Sequence, residues 1–180
     1  PSDDIHAMNG DIVAAAMRCT DAGNKLVESR GGQGNMLHSV CAAFVNTRSD
    51  AYGGDGEGRK RFMRETVAAY GEVWPENLPL AVRLSVTDWI DGGLTIEDNI
   101  QMATALKDLG VDMIDCSGGG ATPAARASVG TRTADQVALA GELRAATGMI
   151  TAGVGCITNA NQGGKVITSG RADLAFLALQ

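Results

Sequence analysis

The fold is decided at two stretches, residues 27–38, which read VESRGGQGNMLH, and residues 46–54, which read NTRSDAYGG. A short apolar run over residues 25–27 leads into the first stretch and predicts a strand over about residues 25–29. The glycines that follow are interspersed with polar side chains, those of Arg30, Gln33, Asn35 and His38. A strand followed by polar groups on glycine-rich backbone is typical of the active-site rim of an α/β enzyme.

The rest of the chain repeats this arrangement. Amphipathic helical patterns alternate with further predicted strands at about residues 80–85, 111–117, 149–152 and 172–179. Strands that alternate with helices indicate βαβ units, a parallel sheet and right-handed crossovers. We therefore predict an α/β protein with a TIM-barrel-type (β/α) repeat of about five βα units. Periodicity alone does not separate a partial barrel from an open sheet.

Composition narrows the possible functions. A chain of 180 residues predicts one domain, residues 1–180, with a sizeable core. The net charge of -6 argues against nucleic acid as a partner, and the absence of a long apolar run argues against a membrane span. The start of the chain does not read as a secretory signal. Four scattered cysteines and two histidines predict reduced thiols in a cytoplasmic protein without a metal centre.

The second stretch, Asn46–Gly54, is accompanied by several shorter motifs along the chain. These are Arg59-x-Arg61-Phe62, Val82–Ser85, Asp88-Trp89, Gly92-Gly93, Leu106–Asp112, Gly155–Thr158 and Gly170–Leu174. In this order and spacing they resemble the old yellow enzyme family of flavin oxidoreductases, and its bacterial branch most strongly. The resemblance extends from about Ile5 to Leu179. It implies that the predicted strands correspond to strands four to eight of an eight-stranded barrel that holds FMN at its carboxyl-terminal face.

The resemblance also shows a substituted catalytic motif. The family carries a His-x-x-His-Gly-Tyr motif, whose histidines fall on Arg30 and Gln33 and whose tyrosine falls on Asn35. In the family the histidines bind the substrate oxygen and the tyrosine delivers a proton. Arginine and glutamine still donate hydrogen bonds, and arginine favours a carboxylate over a neutral enone. Asparagine has no proton to deliver at neutral pH, so these catalytic positions are occupied but altered.

Cofactor contacts are assigned by the same resemblance. Arg83 matches the arginine beside the flavin ring, where a fixed positive charge would stabilise the reduced cofactor; the alternative is a strand-end ion pair with Asp115. The glycine-rich turn of Gly153, Val154 and Gly155 matches the loop that meets the FMN phosphate. Gly170 and Arg171 are also assigned to the cofactor. The arginine that the family places after the last strand falls on Leu179, which weakens the expected phosphate binding.

Other loop residues are expected to be structural. His38 is interpreted as a hydrogen-bonded loop histidine, and Arg48, Asp50 and Tyr52 as braces of the loop that contains them. Five parallel strands cannot close a barrel, so the outer strands would leave open edges. A partner segment or a second copy of the chain is expected to cover these edges.

The leading functional hypothesis is an FMN-dependent NAD(P)H oxidoreductase of the ene-reductase type, or a fragment of one, acting on a small-molecule substrate. One alternative is a non-catalytic barrel relative that binds an anionic ligand or a protein partner. Another is a flavin-free enzyme that acts on a phosphorylated metabolite through the turn at residues 153–155. The altered residues Arg30, Gln33 and Asn35 favour the non-catalytic relative, whereas the intact flanking motifs favour the oxidoreductase.

Overall fold

The computed structural model describes residues 2–127 and 133–177. Helices and strands alternate along the chain as the sequence predicts. In order they are α1 (Ser2–Asp21), β1 (Val27–Gly31), α2 (Met36–Cys41), α3 (Gly56–Gly71), β2 (Leu80–Ser85), α4 (Ile96–Asp108), β3 (Met113–Ser117), α5 (Pro123–Ala127), α6 (Thr133–Thr147), β4 (Ile150–Gly153), α7 (Ala160–Thr168) and β5 (Leu174–Ala175).

The sheet contains five parallel strands in the order β1-β2-β3-β4-β5. Each strand lies beside the next one in the sequence, which is the connectivity of successive units in a (β/α) barrel. Within the described residues β1 pairs with β2 alone and β5 with β4 alone, so both outer strands have an open edge. The predicted α/β class and partial (β/α) repeat are therefore confirmed.

The two faces of the sheet differ in what they contact. One face packs against the helices and forms the main core, in which Val82, Leu84 and Ile114 are fully or almost fully buried. The opposite face, which we call the inner face, carries the small cluster of Ala81, Met113, Ala152 and Phe176. The inner face also carries charged residues, because the strand register sets Arg30, Arg83, Asp115 and Ala152 side by side.

Local signals determine where helices begin and end. The sequence Thr95-Ile96-Glu97-Asp98 predicts a capping box at the start of α4. The box is present, since the Asp98 N–H donates to Thr95 Oγ1 at 3.2 Å and the Thr95 N–H donates to Asp98 Oδ2 at 3.0 Å. The Asp55 side chain caps α3 by accepting from the Gly58 N–H at 2.8 Å. After α4 the chain turns at Gly110, whose φ of 91° is left-handed, as glycine readily permits.

Pairing between strands determines where each strand begins and ends, and these ends differ in part from those that the sequence patterns predict. Strand β2 occupies the predicted residues 80–85, but β1 begins and ends later than predicted, so Arg30 lies in the strand and not in the loop. Gly31 extends β1 by pairing with Leu84, at a position where a Cβ atom would lie 2.5 Å from Met63 Cε. Close packing on α3 and on the Arg83 carbonyl thus favours glycine at this strand end.

Short helices were missed in two loops. The sequence patterns predict a long glycine-rich connection over residues 30–56 and, after residue 120, an irregular stretch to about residue 133. The structure places α2 in the first and α5 in the second. Both helices have six residues or fewer, too short for a hydrophobic period to be read. The last strand is shorter than the predicted residues 172–179, and residues 178–180 lie outside the described part.

Candidate active site

The candidate active site lies at the edge of the sheet where the parallel strands end. Two glycine-rich loops meet there, residues 32–35 after β1 and residues 118–120 after β3. A Cβ atom at Gly34 would overlap the Gly120 carbonyl oxygen, and one at Gly120 would lie 2.7 Å from Gln33 Cα. Both glycines have left-handed φ angles, 78° and 100°. Glycine at these positions therefore lets the two loops pack backbone to backbone above β2.

Ser85, the last residue of β2, connects the two loops. Its buried hydroxyl accepts a hydrogen bond from the Gln33 N–H at 2.7 Å and donates one to the Gly119 carbonyl at 2.8 Å. The partners are 52 and 34 residues away in sequence. Sequence reasoning therefore gave Ser85 no role beyond its place in the Val82–Ser85 motif.

We expect Ser85→Ala to lower the free energy of unfolding by about 1 to 3 kcal/mol, because it leaves a buried N–H and a buried carbonyl without a partner. Urea unfolding followed by circular dichroism measures the change. Thr104→Ala is the matched control, since the Thr104 hydroxyl bonds the Ile100 carbonyl on an exposed helix face. A Ser85→Ala loss no larger than the control loss would show that the hydroxyl does not hold the loops.

The structure brings together two of the three residues at the altered catalytic positions. Arg30 Nη2 donates to Gln33 Oε1 at 3.4 Å, and both side chains line one cavity of ≈ 420 Å³. Asn35 is placed differently, since its side-chain amide donates to the Gly32 carbonyl at 2.8 Å and does not line that cavity. Arg30 and Gln33 can therefore act on one ligand, whereas Asn35 secures its own loop.

Arg83 lies between Arg30 and Asp115 on the inner face and forms the ion pair that the sequence analysis kept as an alternative. Its Nη1 is 3.2 Å from Asp115 Oδ2, and its Nη2 donates to Ser117 Oγ at 3.4 Å. The Asp115 side chain is fully buried, whereas that of Arg83 is 21% exposed. The guanidinium is thus held by the sheet at one side and open to a ligand at the other.

Burial sets the electrostatics of this pair. It raises the pKa of Asp115 to about 6, and the positive charge of Arg83 opposes the rise. Burial also raises the pKa of Glu28, two residues before Arg30 on β1, against the opposing charges of Arg83 and Arg30. The inner face therefore holds two acidic groups in an environment that disfavours their charged forms.

The turn that follows β4 contains a glycine in the left-handed region. Gly155 has a φ of 103°, and a Cβ atom there would lie 2.9 Å from the side-chain Cδ of Gln136. Gln136 is buried and belongs to α6, so an amide side chain packs directly on the turn. Sequence reasoning missed Gln136, because only the tertiary packing of α6 on β4 brings it to residues 153–155.

The structure separates Gly170 and Arg171 from that turn and corrects their grouping with the cofactor residues. They lie in the turn between α7 and β5, where the Gly170 N–H donates to the Ile167 carbonyl at 3.0 Å. Asp173 follows at once and donates its N–H to the carbonyl of Thr151, near the start of β4. Gly170 and Arg171 therefore lie at the amino-terminal edge of the sheet, opposite the turn at residues 153–155. Leu179 falls outside the described residues.

His38 has the loop-bracing role predicted for it. Its Nδ1 accepts from the Gly34 N–H at 2.9 Å, and its Nε2 lies 3.1 Å from Asp88 Oδ1, with both side chains buried. Asp88 in turn accepts from the Leu94 N–H through Oδ2 at 2.9 Å. Because Nδ1 accepts a hydrogen bond, the ring proton lies on Nε2, the nitrogen nearer to Asp88. His38 thus ties the loop after β1 to the loop after β2.

The Asn46–Gly54 stretch is braced by its own side chains. Asn46 Nδ2 donates to the Val40 and Tyr52 carbonyls at 2.6 and 2.7 Å. Arg48 forms an ion pair with Asp50, and Tyr52 Oη donates to Glu65 at 2.8 Å. These contacts give the stretch the structural role expected from the sequence.

No group of three or more His, Cys, Asp or Glu side chains within residues 2–127 and 133–177 is arranged to hold a metal ion. In the same ranges, no helix has the length and apolar character needed to cross a membrane.

Several known proteins are similar to this chain in sequence. Residues 1–179 match the model of the NADH:flavin oxidoreductase / NADH oxidase family. The NADPH dehydrogenase of Bacillus velezensis is 38% identical over 164 residues, which are 91% of this chain and 47% of the relative. The NADPH dehydrogenase of Bacillus subtilis is 37% identical over 163 residues, with the same coverage. The chain thus spans about half the length of these curated relatives.

A solved structure shows the same fold. The 2-naphthoyl-CoA reductase in complex with 2-naphthoyl-CoA superimposes with a TM-score of 0.87 at 23% identity. The superposition covers 97% of this chain and 27% of the reductase chain.

Proposed function

Because this chain belongs to the NADH:flavin oxidoreductase / NADH oxidase family, we propose that it forms part of an FMN-dependent oxidoreductase that uses NAD(P)H to reduce a small molecule. The observation that carries the proposal is the position of Arg83. It lies on β2 two residues before the strand ends, is held by the buried Asp115 at 3.2 Å, and has a side chain that is 21% exposed. A fixed cation of this kind is suited to a cofactor that gains negative charge on reduction.

The residues of the chain fit FMN at two places. The turn of Gly153, Val154 and Gly155 would hold the phosphate, since Gly155 adopts a left-handed conformation with no room for a side chain beside Gln136. Arg83 would lie beside the ring and stabilise negative charge there. When bound, FMN supplies hydride transfer between NAD(P)H and the acceptor.

The acceptor would be oriented by Arg30 and Gln33, whose side chains line one cavity and can both donate hydrogen bonds to an oxygen atom. Asn35 does not replace the family tyrosine as a proton donor, because a neutral amide does not ionise near pH 7. We propose that the proton reaches the substrate from solvent at the glycine-rich loops.

The proposal also includes a partner that covers exposed residues of the inner face. The inner face exposes Ile150 by 49% and Leu174 by 40%, although both lie on strands beside the apolar cluster of this face. Exposed apolar strand residues of this kind commonly mark an interface. We propose that another segment of polypeptide or a second copy of the chain covers them.

Fluorescence titration of the purified chain with FMN tests the proposal. We expect one FMN per chain and bleaching of its visible band when NADPH or NADH is added without oxygen. Gly155→Ala should weaken FMN binding by about tenfold or more, since a side chain at this left-handed residue costs of order 1 to 3 kcal/mol. Gly164→Ala is the control, because a Cβ atom there has nothing within 4 Å.

Two results would contradict the proposal. A chain that binds no FMN would favour the non-catalytic relative that binds an anionic ligand, a role compatible with Arg30 and Asn35. Equal FMN affinity of Gly155→Ala and Gly164→Ala would remove the turn at residues 153–155 from the cofactor site.

A further inference from the structure

A second arginine faces the cavity that contains Arg30. The ≈ 420 Å³ cavity is lined by Arg30, Gln33, Gly118, Gly120, Arg126 and Gln136. Two of these residues are charged, and both are arginines. The two glutamines contribute amide side chains. We propose that the cavity binds the anionic end of the substrate, a carboxylate held between Arg30 and Arg126. This inference rests on the proposed function and names its class of substrate.

Arg126 is positioned by a short helix that the sequence patterns did not predict. Helix α5 begins at Pro123, and the Ala125 N–H donates to Thr122 Oγ1 at 3.1 Å. Ala125 is fully buried, whereas Arg126 is exposed. The buried alanine therefore anchors the helix and leaves the neighbouring arginine to face the cavity.

The acidic groups of the inner face do not line the cavity. Asp115 is fully buried and forms its ion pair with Arg83. Glu28 is half-buried two residues before Arg30 on the same strand, and it does not line the cavity. The side-chain hydrogen bond of Arg30 to Gln33 Oε1 is long, at 3.4 Å. A guanidinium has five N–H donors, so this contact leaves donors for a ligand.

The donor set suits a carboxylate better than a neutral carbonyl. Guanidinium groups bind carboxylates through two parallel charge-assisted hydrogen bonds, which are stronger than bonds between neutral groups. Gln33 is held in place through its N–H bond to Ser85, and Gln136 by its packing on Gly155. The amides of these residues add neutral donors, so a substrate without a charge would bring no counter-charge to the two arginines.

Binding of cinnamate and cinnamamide to the full chain, measured by calorimetry, tests the inference. The two probes differ in the charge of one terminal group. We expect cinnamate to bind about tenfold more tightly, which corresponds to one charge-assisted contact. The preference should fall to about twofold or less in Arg126→Gln and in Arg30→Gln. Arg64→Gln is the matched control, since Arg64 is an exposed arginine that pairs with Glu57 on α3.

Several outcomes would overturn the inference. These are equal binding of the two probes, no binding of either, and an unchanged preference in Arg126→Gln. Tighter binding of inorganic phosphate than of cinnamate would also overturn it, by identifying a phosphate site. The FMN titration separates this inference from the proposed function. If the chain prefers cinnamate over cinnamamide but binds no FMN, only the proposed oxidoreductase function is overturned. If the chain binds FMN but shows no such preference, only the carboxylate site is overturned.

Discussion

Replacing Arg83 with alanine should lower the free energy of unfolding by about 1.5 kcal/mol at pH 7, because Asp115, whose pKa is already about 6, can take up a proton when its partner is removed. Asp115 is fully buried, and its Oδ2 lies 3.2 Å from the guanidinium of Arg83. Without that charge the carboxylate must either remain ionised in an apolar setting or take up a proton. Arg83→Lys retains the charge and should lose less.

The pH dependence of stability identifies Asp115 as the cause. Its pKa is raised from an ordinary value near 3.8 to about 6, so the folded state binds the proton more tightly than the unfolded state. The stabilising contribution is therefore fully present below about pH 4 and is lost as the pH rises through 6. The loss is on the order of 2 to 3 kcal/mol. In Arg83→Ala the loss should be larger and should extend to higher pH.

Urea unfolding between pH 4 and pH 8 measures both effects. Asp115→Asn is the matched variant, because it keeps a side chain of similar shape without the titrating group. The difference in stability between the wild type and Asp115→Asn should change with pH in the window from 4 to 7. A constant difference across this window, or an Arg83→Ala variant as stable as the wild type, would show that the pair does not control folding.

Restoring the family's groups at three positions should raise turnover of a neutral activated alkene, such as 2-cyclohexenone, by about 10²- to 10⁴-fold. The variant combines Arg30→His, Gln33→His and Asn35→Tyr. A positioned proton donor is what residue 35 does not supply, since the Asn35 amide bonds the Gly32 carbonyl and has no proton to deliver. NADPH oxidation in the presence of FMN and the alkene measures the gain.

A double variant with Arg30→His and Gln33→His separates the two parts of this effect. Histidines alone would restore hydrogen bonds to the substrate oxygen, and most of the gain should appear only when Asn35→Tyr is added. The triple variant should also lose the preference for cinnamate over cinnamamide, because histidine replaces Arg30. If FMN is bound and the triple variant shows no gain, proton delivery at residue 35 does not limit the reaction.

Much of the fold could be predicted because it depends on short-range patterns. The apolar run at residues 80–85 is strand β2, and the capping residues Thr95 and Asp98 begin α4 as expected. Side chains a few residues apart set a helical or extended period whatever lies elsewhere in the chain. The Asn46–Gly54 motif was informative for the same reason, since its hydrogen bonds run mostly between close neighbours in sequence.

The candidate site was only partly predictable, because it depends on distances between residues far apart in sequence. The sequence by itself determined the order of the strands and of the longer helices, the glycine-rich loops, and the presence of Arg30, Gln33 and Arg83 in or just after strands. Only the tertiary structure decided that Ser85 joins two loops, that Gln136 packs on Gly155 and that Arg126 faces Arg30 across one cavity. It also placed Gly170 and Arg171 at the opposite edge of the sheet, since α7 returns the chain there before β5 begins. The physical reason is that local propensity acts over a few residues, whereas parallel pairing and helix packing determine which strand ends meet.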